Sequence, residues 1–160
     1  MSGDKTTQKV AAADDLAGFN LYDAPGHLLR RCQQLAVDLY TMEVGINGLT
    51  PRQFALLLAI YQNPGISQVD LVRLTGIDRS TVAEMVARLI KRNLLVRQRT
   101  EADRRTNALA VTPEGESQLR AAKPGVLRTQ DRILDPIPAA QRDSFIASLR
   151  HLVESLEQKP

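Results

Sequence analysis

A chain of 160 residues is long enough for one domain with a proper core. Its 43% apolar content comes with only 4% aromatics and no Trp, a mix rich in Leu, Ala and Val that suits a helical protein better than a sandwich or barrel. A single cysteine excludes an internal disulfide, two histidines are too few to complete a zinc cluster with it, and no apolar run reaches the length of a membrane span.

Residues 1–20 are polar, small and without period, and read as a mobile arm ahead of a single domain over 21–160. Phe19, Leu21 and Tyr22 can dock the end of that arm. The apolar part near Lys5 and Lys9 is interrupted by Asp14 and Asp15, so no signal peptide is expected and a cytoplasmic protein is. A long helix is predicted over 25–46. There Leu28, Cys32, Leu35, Leu39, Met42 and Ile46 recur at spacings of four and three, a heptad-like stripe on one face. Pro25 suits its first turn, and Gly45 with Gly48 ends it. Thr50, Pro51 and Gln53 form a capping-box arrangement for the next helix. Phe54, Leu57, Leu58 and Tyr61 give that helix a buried face, and Asn63, Pro64 and Gly65 stop it. Ser67, with Asp70 three residues on, caps a short third helix bearing Val69, Leu71, Val72 and Leu74. Thr75, Gly76 and Ile77 make a three-residue turn, and Asp78 caps a fourth helix. Two helices joined by such a turn are a helix-turn-helix unit.

Asn93 fits the left-handed position that closes the fourth helix. Strands are predicted over 94–99 and 107–111, around a polar, charged loop at 100–106. Thr112 and Pro113 open a fifth helix. Lys123, Pro124 and Gly125 predict a kink or break in it, because an interior proline costs roughly 3 kcal/mol. Pro136 and Pro138 set off a last helix of about 138–158, carried by Phe145, Leu149, Leu152, Val153 and Leu156. The fold class is therefore mainly α with a small β-wing, a winged helix-turn-helix lobe over 50–112 flanked by helices over 25–48 and 113–158.

The charge is unevenly spread. Net charge is +3, yet Arg73–Arg105 holds nine Arg or Lys against four Asp or Glu, so the rest is slightly acidic. A local basic patch on a near-neutral chain points to a polyanion. On the fourth helix, Val82, Met85, Val86, Leu89 and Ile90 share one side, and Ser80, Thr81, Glu84, Arg88 and Lys91 the other. The second helix of such a unit enters the major groove with its N-terminal half. Arg79 can pair with a guanine edge there. Glu84 can accept from cytosine N4 or simply pair with Arg88 one turn on. Ser67, Gln68, Ser80 and Thr81 are short donors suited to phosphates. Arg99, Arg104 and Arg105 on the hairpin can enter a minor groove, with Asp103 bracing an arginine and shaping the loop. A solvated loop is the bland alternative for the hairpin.

On these residues the chain resembles the MarR family of winged-helix regulators. Asp103, Arg105, Val111, Thr112 and Gly115 fit the family's D-x-R-x5-[LV]-T-x-x-G wing signature, and DRSTVAEMVARLIKRN looks like its recognition helix. Asn93 stands where a Gly is usual. The resemblance covers about residues 25–158. It implies a homodimer in which first and last helices of two subunits pack together, and a double-stranded, pseudo-palindromic DNA operator with half-sites about 34 Å apart. It also implies repression relieved by a small ligand bound between the dimerisation helices and the DNA lobe.

His27, Arg30 and Arg31 cluster near the start of the first helix and can pair with a carboxylate or with phosphates, or be solvated interface charges. Tyr40, Phe54 and Tyr61 can line an aromatic pocket or pack in the core. The opening APGHLLRRCQQ is similar to members tied to aromatic-acid breakdown, which implies an aromatic acid or an aromatic acyl-CoA as effector and no bound cofactor. Cys32 opens a redox-sensing alternative, but on the stripe with Leu28 and Leu35 it is expected to be a buried, inert thiol. A winged helix that docks protein instead of DNA is a further alternative, which the basic excess opposes. No Gly-rich phosphate loop, metal spacing or Ser/His/Asp set occurs, so no catalytic or metal-binding residue is assigned and an enzyme is not expected.

Overall fold

The computed structural model describes residues 16, 18–100 and 103–157, with side chains for all of these except 99–107. Most of the expected arm over 1–20 lies outside the described residues. The helices are α1 (Pro25–Val44), α2 (Pro51–Gln62), α3 (Gln68–Thr75), α4 (Arg79–Lys91), α5 (Pro113–Leu134) and α6 (Ala139–Glu157), and the strands are β1 (Leu95–Thr100) and β2 (Asp103–Val111).

Two compact units divide the chain at Leu35 and Ala36, within α1. In the first unit a single 3-10 turn, Leu21–Asp23, is capped by Asn20, whose side-chain oxygen accepts from the Tyr22 N–H at 3.0 Å. The rings of Tyr22 and His27 meet edge to face, 6.5 Å apart. Leu28, Leu29 and Leu35 are exposed in the protomer, and so is Cys32. The expectation of a buried Cys32 is thus corrected. The stripe is apolar, but a single chain leaves it facing solvent.

The second unit is built as the capping residues dictate. Thr50 and Gln53 exchange both capping-box hydrogen bonds, at 3.3 and 3.1 Å. Gly76 takes a left-handed φ of 65° between α3 and α4, and Asn93 one of 57° after α4, as its side chain permits. The helix-turn-helix and the sheet share one core. Leu56, Leu57 and Ile60 of α2, Leu71 of α3, and Val82, Val86 and Leu89 of α4 meet Leu95, Leu109 and Leu119 there. Each such side chain contributes roughly 1.5–3 kcal/mol on burial. Leu119 brings the N-terminal half of α5 into that core.

The antiparallel hairpin pairs Leu95 with Val111 through to Arg99 with Asn107, then shifts register so that Thr100 faces Asp103. The ladder is longer than the strands predicted over 94–99 and 107–111. Main-chain pairing continues through polar residues that need no core, so a charge-rich stretch read as loop becomes strand.

A second correction concerns α5, which runs unbroken from Pro113 to Leu134 with Pro124 inside it. Pro124 is exposed, so water can reach the carbonyl its missing N–H leaves free. Gly125 is buried against the end of α1, where an added Cβ would lie 2.5 Å from the Glu43 carbonyl oxygen. Tertiary contact at this point holds the helix that local propensity would interrupt. α6 has no buried residue, and Leu149, Leu152, Val153 and Leu156 are all exposed. Among the described residues no helix is long and apolar enough to cross a membrane.

Candidate functional site

The outer face of α4 begins at its cap. The Asp78 carboxylate accepts from the Thr81 N–H at 2.9 Å and from the Ser80 hydroxyl at 2.6 Å. These bonds, Ser80 first, hold its pKa far below the usual carboxylate range. Ser67 does the same work for α3, accepting from the Asp70 N–H at 3.1 Å and donating to its carboxylate at 2.7 Å. The hydroxyls of Ser67 and Ser80, expected at phosphates, are engaged in capping here. Thr81 and Gln68 are half-buried, while Arg79, Glu84 and Arg88 are exposed opposite the buried Val82, Val86 and Leu89. Glu84 and Arg88 are paired at 3.5 Å with side chains 72% and 65% exposed, a contact worth only a few tenths of a kcal/mol. Either partner can leave it for a base or a phosphate at little cost.

The hairpin that follows is fixed at its base. The Thr112 hydroxyl donates to the Asn93 carbonyl at 2.6 Å, its N–H donates to the Leu94 carbonyl at 3.1 Å, and its oxygen caps α5 by accepting from the Gly115 N–H at 3.0 Å. Gly115 is buried so closely on Leu94 that a Cβ there would overlap the Leu94 carbonyl oxygen and the Val111 side chain. The backbone of β2 carries Asp103, Arg104 and Arg105. Their side chains, and that of Arg99, lie outside the described residues.

Between α2 and α5 opens a cavity of about 460 Å³. Phe54, Leu58, Leu119, Val126 and Leu127 form its apolar lining. Tyr61, Glu116, Arg120 and Lys123 supply its polar edge. Arg120 donates from Nε to Glu116 Oε1 at 3.1 Å, a second guanidinium nitrogen reaches the same oxygen, and the Tyr61 hydroxyl donates to it at 3.4 Å. The cavity is large enough for a substituted benzene ring, and cations at its edge suit an anionic substituent.

Of the residues expected at an effector, Phe54 and Tyr61 line this cavity. Tyr40 does not. It is 6% exposed in the protomer, its hydroxyl has no partner among the described residues, and burial pushes its pKa up to about 12. His27, Arg30 and Arg31 sit in the first unit, His27 half-buried and the two arginines exposed. Glu116, Arg120 and Lys123 were missed by sequence reasoning. Their spacing of four and three puts them on one face of α5 beside Leu119, Val126 and Leu127, but such a charged row marks a site only once α2 lies against it.

The joint between α1 and α5 carries a second charged cluster. Arg128 donates from Nε to Glu43 Oε2 at 2.7 Å and from a terminal nitrogen to the Glu43 carbonyl at 3.2 Å, and Arg132 donates to Oε1 at 2.9 Å. The hydrogen bonds from Arg128 and then Arg132 lower the Glu43 pKa from its ordinary 4.5. A carboxyl whose folded pKa is depressed stabilises the fold fully above its unfolded pKa, and that contribution fades as pH falls through the folded value. Glu43→Gln should therefore reduce stability at neutral pH. The gap from the native protein should close on acidification below about 4.5, the ordinary value. Urea melts of both proteins across that range check it; a gap that stays constant with pH contradicts the assignment.

The model of the MarR family matches residues 47–106, from before α2 into the hairpin. A putative transcriptional regulatory protein for the hcr operon of Thauera aromatica is 30% identical over 136 residues, 84% of this chain and 82% of the relative. Three solved regulators share the fold. PcaV of Streptomyces coelicolor, in complex with its natural ligand, is 33% identical with a TM-score of 0.78, over 86% of this chain and 97% of that one. BpsR of Bordetella bronchiseptica, whose DNA binding is regulated by 6-hydroxynicotinic acid, is 30% identical with a TM-score of 0.78, over 84% and 96%. The repressor CouR bound to a 23-mer DNA duplex is 32% identical with a TM-score of 0.74, over 82% and 94%. CouR bound to p-coumaroyl-CoA gives 28% and 0.73, over 90% and 97%.

Proposed function

The chain belongs to the MarR family, and from that premise we propose that it is a homodimeric, ligand-responsive DNA-binding repressor of catabolic genes, released by an aromatic carboxylic acid or its CoA thioester. The observation that carries the DNA reading is α4 itself. Its buried side locks into the core, and its exposed side offers Arg79, Glu84 and Arg88. α4 enters the major groove, where Arg79 reads a guanine edge and Glu84 trades Arg88 for a cytosine amine. Arg99, Arg104 and Arg105 reach the neighbouring minor groove from the hairpin, with Asp103 bracing them. Ser67, Gln68, Ser80 and Thr81 lie near phosphates, which the N-terminal amides of α3 and α4 also favour. The likeness to a DNA-bound CouR supports this placement.

Titration of DNA from upstream of its own gene tests the reading. Binding should weaken steeply as log salt rises, and Arg105→Ala should lower that slope by about one. Arg79→Ala should cost about 1–3 kcal/mol and relax preference at one base pair of each half-site. A flat salt dependence would favour docking on protein instead.

The effector lies in the cavity between α2 and α5, with its ring on Phe54, Leu58 and Leu119 and its anionic group at the edge. His27, Arg30 and Arg31 of the first unit are, taken by themselves, cations suited to the phosphates of a CoA thioester. The protein acts on DNA in the cytoplasm and turns over no substrate. Release of bound DNA by aromatic acids and their CoA thioesters is the test, and no release by either class rejects the effector reading. No observation favours a redox switch, since Cys32 stands alone.

A further inference from the structure

Resting on the effector reading, we propose that Glu116 is an internal stand-in for the effector's carboxylate, holding Arg120 until a free aromatic acid takes its place. One carboxylate oxygen of Glu116 gathers the donors of two elements, the Arg120 guanidinium from α5 and the Tyr61 hydroxyl from α2. These groups border the apolar lining where a ring fits. A carboxylate on such a ring reaches the same donors, with Lys123 on the same edge. An acid entering beside Glu116 meets a like charge, so the two anions compete for one guanidinium.

The exchange is easy because the pair is weak. The side chains of Arg120 and Glu116 are 71% and 37% exposed, and water screens their attraction. The position is also a consequential one. Glu116 sits in the first turn of α5, next to Gly115, which packs on the Leu94 carbonyl, and four residues beyond the Thr112 cap that ties the hairpin to this helix. An effector that frees Glu116 therefore acts at the joint that carries the wing. The site selects a free acid over its CoA thioester, because the thioester has no acyl carboxylate to offer Arg120.

Calorimetry with full-length protein tests this, using 4-hydroxybenzoic acid, its amide and its CoA thioester as probes. Glu116→Gln should bind the acid about fivefold more tightly, as the carboxylate that competes for Arg120 is removed, with the amide unchanged. Arg120→Gln should bind the acid about tenfold or more weakly, again with the amide unchanged. In the double variant the gain from Glu116→Gln should disappear. Acid affinity that is unchanged or lowered in Glu116→Gln, or raised equally for acid and amide, overturns the proposal. Binding of the thioester alone also overturns it while leaving the effector reading intact. Binding of none of the three probes overturns both for this class of ring.

Discussion

Gly115→Ala should destabilise the protein by about 3 kcal/mol, which lowers Tm by roughly 10 °C for a domain of this size. A Cβ at this position overlaps the Leu94 carbonyl oxygen and the Val111 side chain. The first is backbone between α4 and β1, the second lies at the end of β2, and neither can swing away as a flexible side-chain tip would. Relief requires α5 to retreat from the hairpin base, which breaks the Thr112 bonds to Asn93 and Leu94. DNA binding should fall further than stability alone explains, since the wing is set by the same joint. Gly26→Ala is the control. Nothing lies within 4 Å of a Cβ there, and an alanine in α1 should stabilise by up to about 1 kcal/mol. Both are compared with the native chain at one protein concentration, because a dimer's Tm depends on it. A Gly115→Ala protein that melts with the native one would mean that the joint is looser than described.

Replacing Leu149 and Leu152 together by Glu should leave the lobe folded and give a monomer. Both are on α6, are 37% and 44% exposed, and belong to none of the core described above. If α6 carries the proposed dimer interface, two charges on its apolar face would each be desolvated in the dimer at a cost of several kcal/mol. Operator affinity should then fall by at least about a hundredfold, because the second half-site is no longer held at high effective concentration. Sedimentation with circular dichroism reads the state and the fold together. A variant that remains dimeric places the interface elsewhere.

Much of the DNA-reading lobe was legible because its signals are local. Thr50 with Gln53, Ser67 with Asp70, Gly76, Asp78 and Asn93 each declare a helix end through one backbone requirement, and each adopts the geometry that requirement asks for. The apolar side of α4 follows from period alone. The wing motif was visible as a string of letters, and the structure supplies its reason. Thr112 bonds two elements and caps a third, and only glycine fits at 115.

The cavity between α2 and α5 was half legible. Phe54 and Tyr61 are aromatic and drew attention, whereas Glu116, Arg120 and Lys123 look like any charged helix face until α2 is laid beside them. Tyr40 has the same chemistry as Tyr61 but is buried away from the cavity, a difference no local pattern encodes. Pro124 misled for the same reason in reverse. Local propensity argues for a break, and the seat of Gly125 on Glu43, with Arg128 and Arg132 closing on that carboxylate, keeps α5 whole.

By itself the sequence determined the helices other than the continuity of α5, their caps, the turn between α3 and α4 and the basic excess, because these depend on neighbours three or four residues apart or on charge alone. Only the tertiary structure decided which charges meet. Glu116 with Tyr61 and Glu43 with Arg128 and Arg132 join residues 55, 85 and 89 positions apart, and such distances carry no sequence period.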